Sequence, residues 1–163
     1  MIRPATAADW AAIWPIFETI VAAGETYAYP EDVSSDEARA LWAEQPPSLT
    51  VVLEEDGRVL GTAKMGPNRP GRGDHVGTAS FMVDPAARGR GVGRRLAEWV
   101  VSWHREQGYR GIQFNAVVET NESAVALWQS LGFEIVGTVP AAFRSRAHGP
   151  VGLHVMWLDL TDP

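Results

Sequence analysis

Residues Val83 to Leu96 read Val-Asp-Pro-Ala-Ala-Arg-Gly-Arg-Gly-Val-Gly-Arg-Arg-Leu, a run of glycine and arginine suited to holding a diphosphate. Gly89, Gly91 and Gly93 let the backbone approach an anion with no side chain in the way. A helix starting directly after them would aim its free N–H groups and the positive end of its dipole at the same place. Arg88, Arg90, Arg94 and Arg95 add a positive field within a chain whose formal net charge is -6. The pattern is neither a Walker A loop, which needs Gly-Lys-Ser/Thr, nor the dinucleotide fingerprint, whose glycines are spaced differently. The plainer alternative is an arginine-rich, solvated helix start.

Such a cradle works only if a strand, a loop and a helix present it in that order. Val76 to Val83 is rich in β-branched and aromatic residues, and Pro85 cannot continue a central strand. Val92, Leu96, Trp99, Val100 and Trp103 then form one apolar helical stripe, which Gly108 ends. Upstream, a short strand at Ile2 to Ala5 precedes a helix with Thr6 or Asp9 as N-cap and the stripe Trp10, Ile13, Trp14, Phe17, Ile20 and Val21. A polar and aromatic loop, Gly24 to Asp32, leads to a helix opening at Ser34 or Ser35 and carrying Ala38, Leu41 and Trp42. Asp56-Gly57, between Val51–Glu54 and Arg58–Met65, signals a tight hairpin, and Gly66 to His75 is a Gly/Pro loop. Downstream come a strand at Ile112 to Val118, a helix from Asn121, a strand at Phe133 to Thr138, a long loop, and a last strand near Val151 to Leu160. Strands interleaved with helices and no internal repeat predict one α/β (α+β) layered domain over residues 1–163.

Composition narrows the chemistry. The chain has no cysteine, which excludes an acyl-cysteine intermediate, disulfides and Cys-based zinc sites. His75, His104, His148 and His154 lack zinc spacing, and His104 falls on the polar side of its helix, so no metal is expected. The acidic balance argues against nucleic acid as a partner. Met1 to Trp10 lacks the features of a signal peptide and no apolar run has the length of a membrane span, so the expected location is the cytoplasm, away from membranes.

The pattern Arg88-x-x-Gly91-x-Gly93 after a strand resembles the acetyl-CoA signature of the GCN5-related N-acetyltransferase (GNAT) superfamily. Asn121-Glu-Ser-Ala-Val-Ala-Leu-Trp128-Gln-Ser-Leu-Gly132-Phe133 is similar to that family's second motif, and the resemblance is strong from about Val76 to Gly137. It implies a mixed, mostly antiparallel central sheet with splayed middle strands flanked by helices. It implies acetyl-CoA as cosubstrate, held by Arg88 and by the amides of Gly89, Arg90, Gly91, Val92, Gly93 and Arg94. Backbone N–H groups at Met82 and Val83 would then face the thioester oxygen, with the pantetheine arm beside them and Asn121, Ser123 and Trp128 across the cleft. Asn121 has a second reading as a plain N-cap, and Asn115 one as a structural hydrogen bond to a neighbouring strand. Asn115 and Asn121 together also resemble the substrate and cofactor asparagines of fungal acetyltransferases acting on proline analogues such as azetidine-2-carboxylate.

Trp128 departs from the family, many members of which carry there a tyrosine that protonates the departing thiolate. A thiol of pKa about 8.5 leaves as a tolerable anion without that acid, and water or Ser123 could complete the transfer. Trp128 also fits an apolar stripe with Ala124, Leu127 and Leu131. An amine of pKa about 10 needs an acceptor for its proton; Glu25 is the first candidate, with Glu119 and Asp74 behind it, and a solvated loop is the plainer role for Glu25. Tyr27, Tyr29 and Asn115 would shape the acceptor pocket. The expected function is acetyl transfer to a small amine by direct attack in a ternary complex. The alternatives are a non-catalytic acyl-CoA sensor and an enzyme acetylating protein N-termini or lysines. A homodimer is an option the sequence leaves open.

Overall fold

The computed structural model describes residues 1–161. Its strands are β1 (Ile2–Pro4), β2 (Leu49–Glu55), β3 (Arg58–Pro67), β4 (Val76–Val83), β5 (Gly111–Val118), β6 (Glu134–Ser145) and β7 (Gly149–Asp159). Its helices are α1 (Trp10–Ala23), α2 (Ser35–Trp42), α3 (Val92–Glu106) and α4 (Glu122–Ser130). The seven strands form one sheet in the order β1-β2-β3-β4-β5-β7-β6. Every neighbouring pair is antiparallel except β4 and β5.

Helices cover both faces. Val52, Val59 and Met82 pack against α1 and α2 around Phe17 and Trp42, whereas Val51, Leu53 and Leu60 pack against Val92, Leu96 and Val100 of α3. Consecutive β2 residues thus enter opposite cores, as the period-two pleat requires. A third cluster joins Ala97 of α3, Trp128 of α4, and Ile112, Phe114, Met156 and Leu158 of the sheet.

Local chemistry explains the element ends. Ser34 caps α2: its hydroxyl accepts from Glu37 N–H at 3.3 Å, while the Glu37 carboxylate accepts from Ser34 N–H at 2.8 Å. Gly24, at φ 71°, ends α1 in the left-handed conformation. Asp56 and Gly57, at φ 49° and 74°, make the two-residue β2–β3 turn. Thr6 precedes a short 3-10 turn, Ala7–Asp9, and the Asp9 carboxylate accepts from Thr6 N–H at 2.6 Å and from Arg3 at 2.8 Å. Asp9 therefore binds backwards to Arg3, which holds its carboxyl well below the usual range, and makes no side-chain cap to α1.

Three sequence expectations are corrected. Leu41 is 40% exposed, because Ala38 and Trp42 alone turn into the core. His104 is fully buried; α3 is covered on that flank by the start of β4 and by Tyr109. The chain from Phe133 to Leu160 forms a long hairpin, β6 and β7, joined by residues 146–148, with no long loop. Pro140, Ala141 and Ala142 disguise this pairing: they bulge opposite Gly152 alone, with Ala141 at φ 54°.

Candidate active site

β4 and β5 pair only at their starts, Val76 with Gly111 and Gly77 with Ile112, and then part. The Phe81, Phe114 and Trp128 rings stand against one another beyond that point, with centroids 4.8 Å apart for Phe81–Trp128, 4.9 Å for Phe114–Trp128 and 6.0 Å for Phe81–Phe114. They pack together where the strands part. The resulting cleft, about 590 Å³, runs from Thr78 along β4 to the start of α3, with the end of β5 and α4 as its far wall.

At one end lies the cradle. Asp84 accepts from Ala86 N–H at 2.9 Å and fixes the turn out of β4, and Gly89 and Gly91 take φ 79° and 71°. A Cβ added at either glycine would meet no protein atom, so both face open space. The N–H groups of Gly89, Gly91, Val92, Gly93 and Arg94 have no backbone acceptor among the described residues, whereas Arg90 N–H donates to Ala87 O at 3.3 Å. Five free donors at a helix start suit an anion. The arginines are less available. Arg90 and Arg95 both bind Glu55, holding its carboxyl below its ordinary value, and Arg94 donates to Ser130 Oγ at 2.9 Å. Arg88 lines the cleft and has no ion pair among the described residues.

At the other end the strand direction decides which amides are free. Asp84 N–H donates to Leu60 O at 2.8 Å across to β3, so by the two-residue alternation Met82 also faces β3, opposite Thr62. Met82 is thus corrected as an oxyanion donor: its amide belongs to the β3 ladder and its side chain is buried against α1. Phe81 and Val83 face the splay instead. The Tyr27 hydroxyl donates to Phe81 O at 2.6 Å and accepts from Phe81 N–H at 2.8 Å. Burial pushes this phenol's pKa up, well above its ordinary value.

Of the residues singled out from the sequence, Tyr27, Met82, Val83, Arg88, Gly89, Gly91, Val92, Gly93, Arg94, Asn115, Asn121, Ser123 and Trp128 border the cleft. Asn121 precedes α4 without a side-chain cap; its Oδ1 accepts from Ser123 Oγ at 3.3 Å. Asn115 is exposed, donating to Asn68 Oδ1 at 2.7 Å and accepting from Gln113 Nε2 at 3.0 Å. Ala116 is exposed as well, because β5 slips register between Phe114 and Val117. Trp128, 8% exposed, both fills the core and walls the cleft.

Arg90, Glu25 and Tyr29 do not border it. The Glu25 carboxylate accepts from Ser145 Oγ at 2.5 Å and Ala147 N–H at 2.7 Å, clasping the α1–α2 loop to the β6–β7 hairpin. These bonds hold its pKa below the ordinary value and weaken it as a base. The Tyr29 ring packs at a tilt against Phe17 and Tyr27, with centroids 5.2 and 5.7 Å away. Glu119 accepts from Gly152 N–H at 2.6 Å. Phe81 and Phe114, missed from sequence, carried only the ordinary signal of aromatic residues in strands.

Residues 11–133 match the family described as Acetyltransferase (GNAT) family. The chain belongs to that family. A GNAT structure from Kribbella flavida is 57% identical, with a TM-score of 0.95 over 98% of this chain and 97% of that one. L-methionine sulfoximine/L-methionine sulfone acetyltransferase from Pseudomonas aeruginosa is 32% identical over 98% of this chain and 90% of that protein. A phosphinothricin acetyltransferase from Sinorhizobium meliloti, in complex with AcCoA, is 27% identical, with a TM-score of 0.87 over 98% of this chain and 88% of that one. N-acetyltransferase aca1 from Schizosaccharomyces pombe is 32% identical over 103 residues, and the chain spans about half (49%) of its length. Among the described residues no helix is long and apolar enough to cross a membrane.

Proposed function

We propose that this GNAT protein transfers the acetyl group of acetyl-CoA to the amine of a small molecule of the amino-acid class, by direct attack in a ternary complex. One observation carries the reading: β4 turns the Phe81 and Val83 amides into a cleft and leads into a loop and helix start, Gly89 to Arg94, whose five free amides suit a diphosphate. A pantetheine arm anchored at the cradle would lie along that strand. The named relatives act on methionine sulfoximine, methionine sulfone and phosphinothricin, which supports an amino acid or close analogue as acceptor.

The amine nitrogen attacks the acyl carbon, the carbonyl oxygen gains negative charge, and the C–S bond breaks to leave the CoA thiolate. An N–H on the open side of β4 stabilises that oxygen. Arg88 and the free amides of Gly89, Gly91, Val92, Gly93 and Arg94 hold the diphosphate, and Asn121 and Ser123 face the arm. Glu25 and Glu119 are both engaged by backbone N–H groups, so the amine proton leaves through water at the cleft mouth. Trp128 supplies no proton; it walls the thioester pocket, and the thiolate is a sufficient leaving group.

Purified protein given acetyl-CoA should release free thiol with some amino acid or amino-acid analogue in a panel that also contains peptides with free N-termini. Turnover on peptides alone would move the acceptor class to proteins, and tight acetyl-CoA binding without acceptor-dependent release would favour a sensor. For the assembly we favour a homodimer joined along β6, the sheet-edge strand that exposes Ile135, Val136 and Val139. Light scattering that gives a monomer at micromolar concentration would end that part of the reading.

A further inference from the structure

Tyr27 sits in the loop after α1, its ring packed against Tyr29 and Trp42 and its hydroxyl inside the splay. By bonding both Phe81 O and Phe81 N–H, this one phenol satisfies the two backbone groups that a paired β5 would otherwise satisfy. Val83, the next residue facing the same way, has no side-chain partner for its N–H among the described residues. Two strand residues span about 6.6 Å, comparable with the reach from the last amide of a pantetheine arm to its thioester. An arm paired with Val83 therefore delivers an acyl oxygen to the Phe81 N–H, the donor Tyr27 already holds.

We propose that the Tyr27 hydroxyl is a place-holder for the acyl oxygen: it keeps the Phe81 N–H paired in the free protein and gives it up to the thioester carbonyl, so that this amide distinguishes acetyl-CoA from CoA. The hydroxyl keeps its own bond to Phe81 O, so only the N–H changes partner and no proton moves. Once the acetyl group has left, CoA has no carbonyl at that position. Tyr27 then takes the N–H back, which favours departure of the product over retention. Tyr27 is a positioning residue in this scheme, acting through the Phe81 amide. The inference rests on the reading of the cleft as an acetyl-CoA site.

The test is the pair of dissociation constants for acetyl-CoA and CoA, measured by calorimetry on the wild type and Tyr27→Phe. Removing the competing hydroxyl should raise the preference for acetyl-CoA over CoA about fivefold, the size of one net hydrogen bond. A purely structural role for Tyr27 would change both constants together and leave the preference as it was, which overturns the proposal. Wild type that binds neither ligand overturns the acetyl-CoA reading itself. A measurement on the wild type covers the case where Tyr27→Phe does not fold. With only five phenylalanines, 15N-phenylalanine labelling isolates the Phe81 amide resonance. It should move with acetyl-CoA and stay near its free position with CoA; identical positions with the two ligands would rule out the exchange.

Discussion

The two ends of β4 are built in opposite ways. At its start the strand is closed: Val76 pairs with Gly111 of β5 and Gly77 with Ile112, and a Cβ at Gly77 or Gly111 would overlap the ring of His104 or of Trp157 respectively. At its end the strand is open, with Phe81 and Val83 turned away from β3 and Gly89 and Gly91 facing empty space beyond it. Glycine at the closed end makes room for the protein's own side chains. Glycine at the open end keeps room for something else. A substitution should therefore damage folding at one end and binding at the other.

The largest expected effect is at the closed end. Gly77→Ala forces its new methyl into the buried His104 ring, and overpacking without space to relax should cost about 3 kcal/mol or more. Chemical denaturation would read the loss; a cost under about 1 kcal/mol would mean that the closed end yields easily and that the contrast is false. At the open end, Gly91→Val should raise the dissociation constant for CoA by at least about a hundredfold through steric exclusion and the φ of 71°. Its stability should fall by only about 2 kcal/mol, the cost of a left-handed backbone at a residue with a side chain. Unchanged CoA affinity in calorimetry would remove the cradle from the argument.

Between pH 7 and 5, above the range in which carboxylates titrate, acid should act first on the closed end. Burial holds the His104 imidazole below its ordinary pKa, with Nδ1 on Val100 O at 2.8 Å and Nε2 without a partner among the described residues. The unfolded chain binds that proton more readily, so the stability gained by keeping the ring neutral is whole above about pH 6.5 and is lost as pH falls below it. The thermal midpoint of the wild type should drop more steeply between pH 7 and 5 than that of His104→Gln, and parallel curves would show that this burial has no pH consequence. The smallest effect belongs to Trp128, which borders both regions. Trp128→Phe should cost about 1 kcal/mol of stability and leave turnover within about threefold, because the indole packs and supplies no proton. A hundredfold loss of turnover in a folded variant would assign the indole a part in the chemistry.

The glycine turn was legible in the sequence because its shape is a property of the backbone. Glycine spacing after a strand and before a helical stripe specifies positive φ values and a helix start whatever surrounds them, and Gly89, Gly91 and Val92 lie where that pattern put them. The sheet's mixed character and its splay were legible only through the family resemblance. Local polar roles such as the Ser34 cap were legible, but the long-range partners of charged side chains were not. Glu25 is bound by Ser145 and Ala147, about 120 residues later in the chain, and Glu55 takes two of the four cradle arginines. Such pairings depend on which elements the topology sets side by side.

By itself, then, the sequence determined a strand-loop-helix with glycines at its turn, a chain with no cysteine for an acyl-cysteine intermediate, and the resemblance to the family. Only the tertiary structure decided which amides of β4 face the cleft. One residue of register separates Met82, committed to β3, from Phe81 and Val83, and a one-residue difference reverses the direction of every backbone donor. It also placed Tyr27 on Phe81, 54 residues away, where the hydroxyl completes a strand edge that has no neighbour.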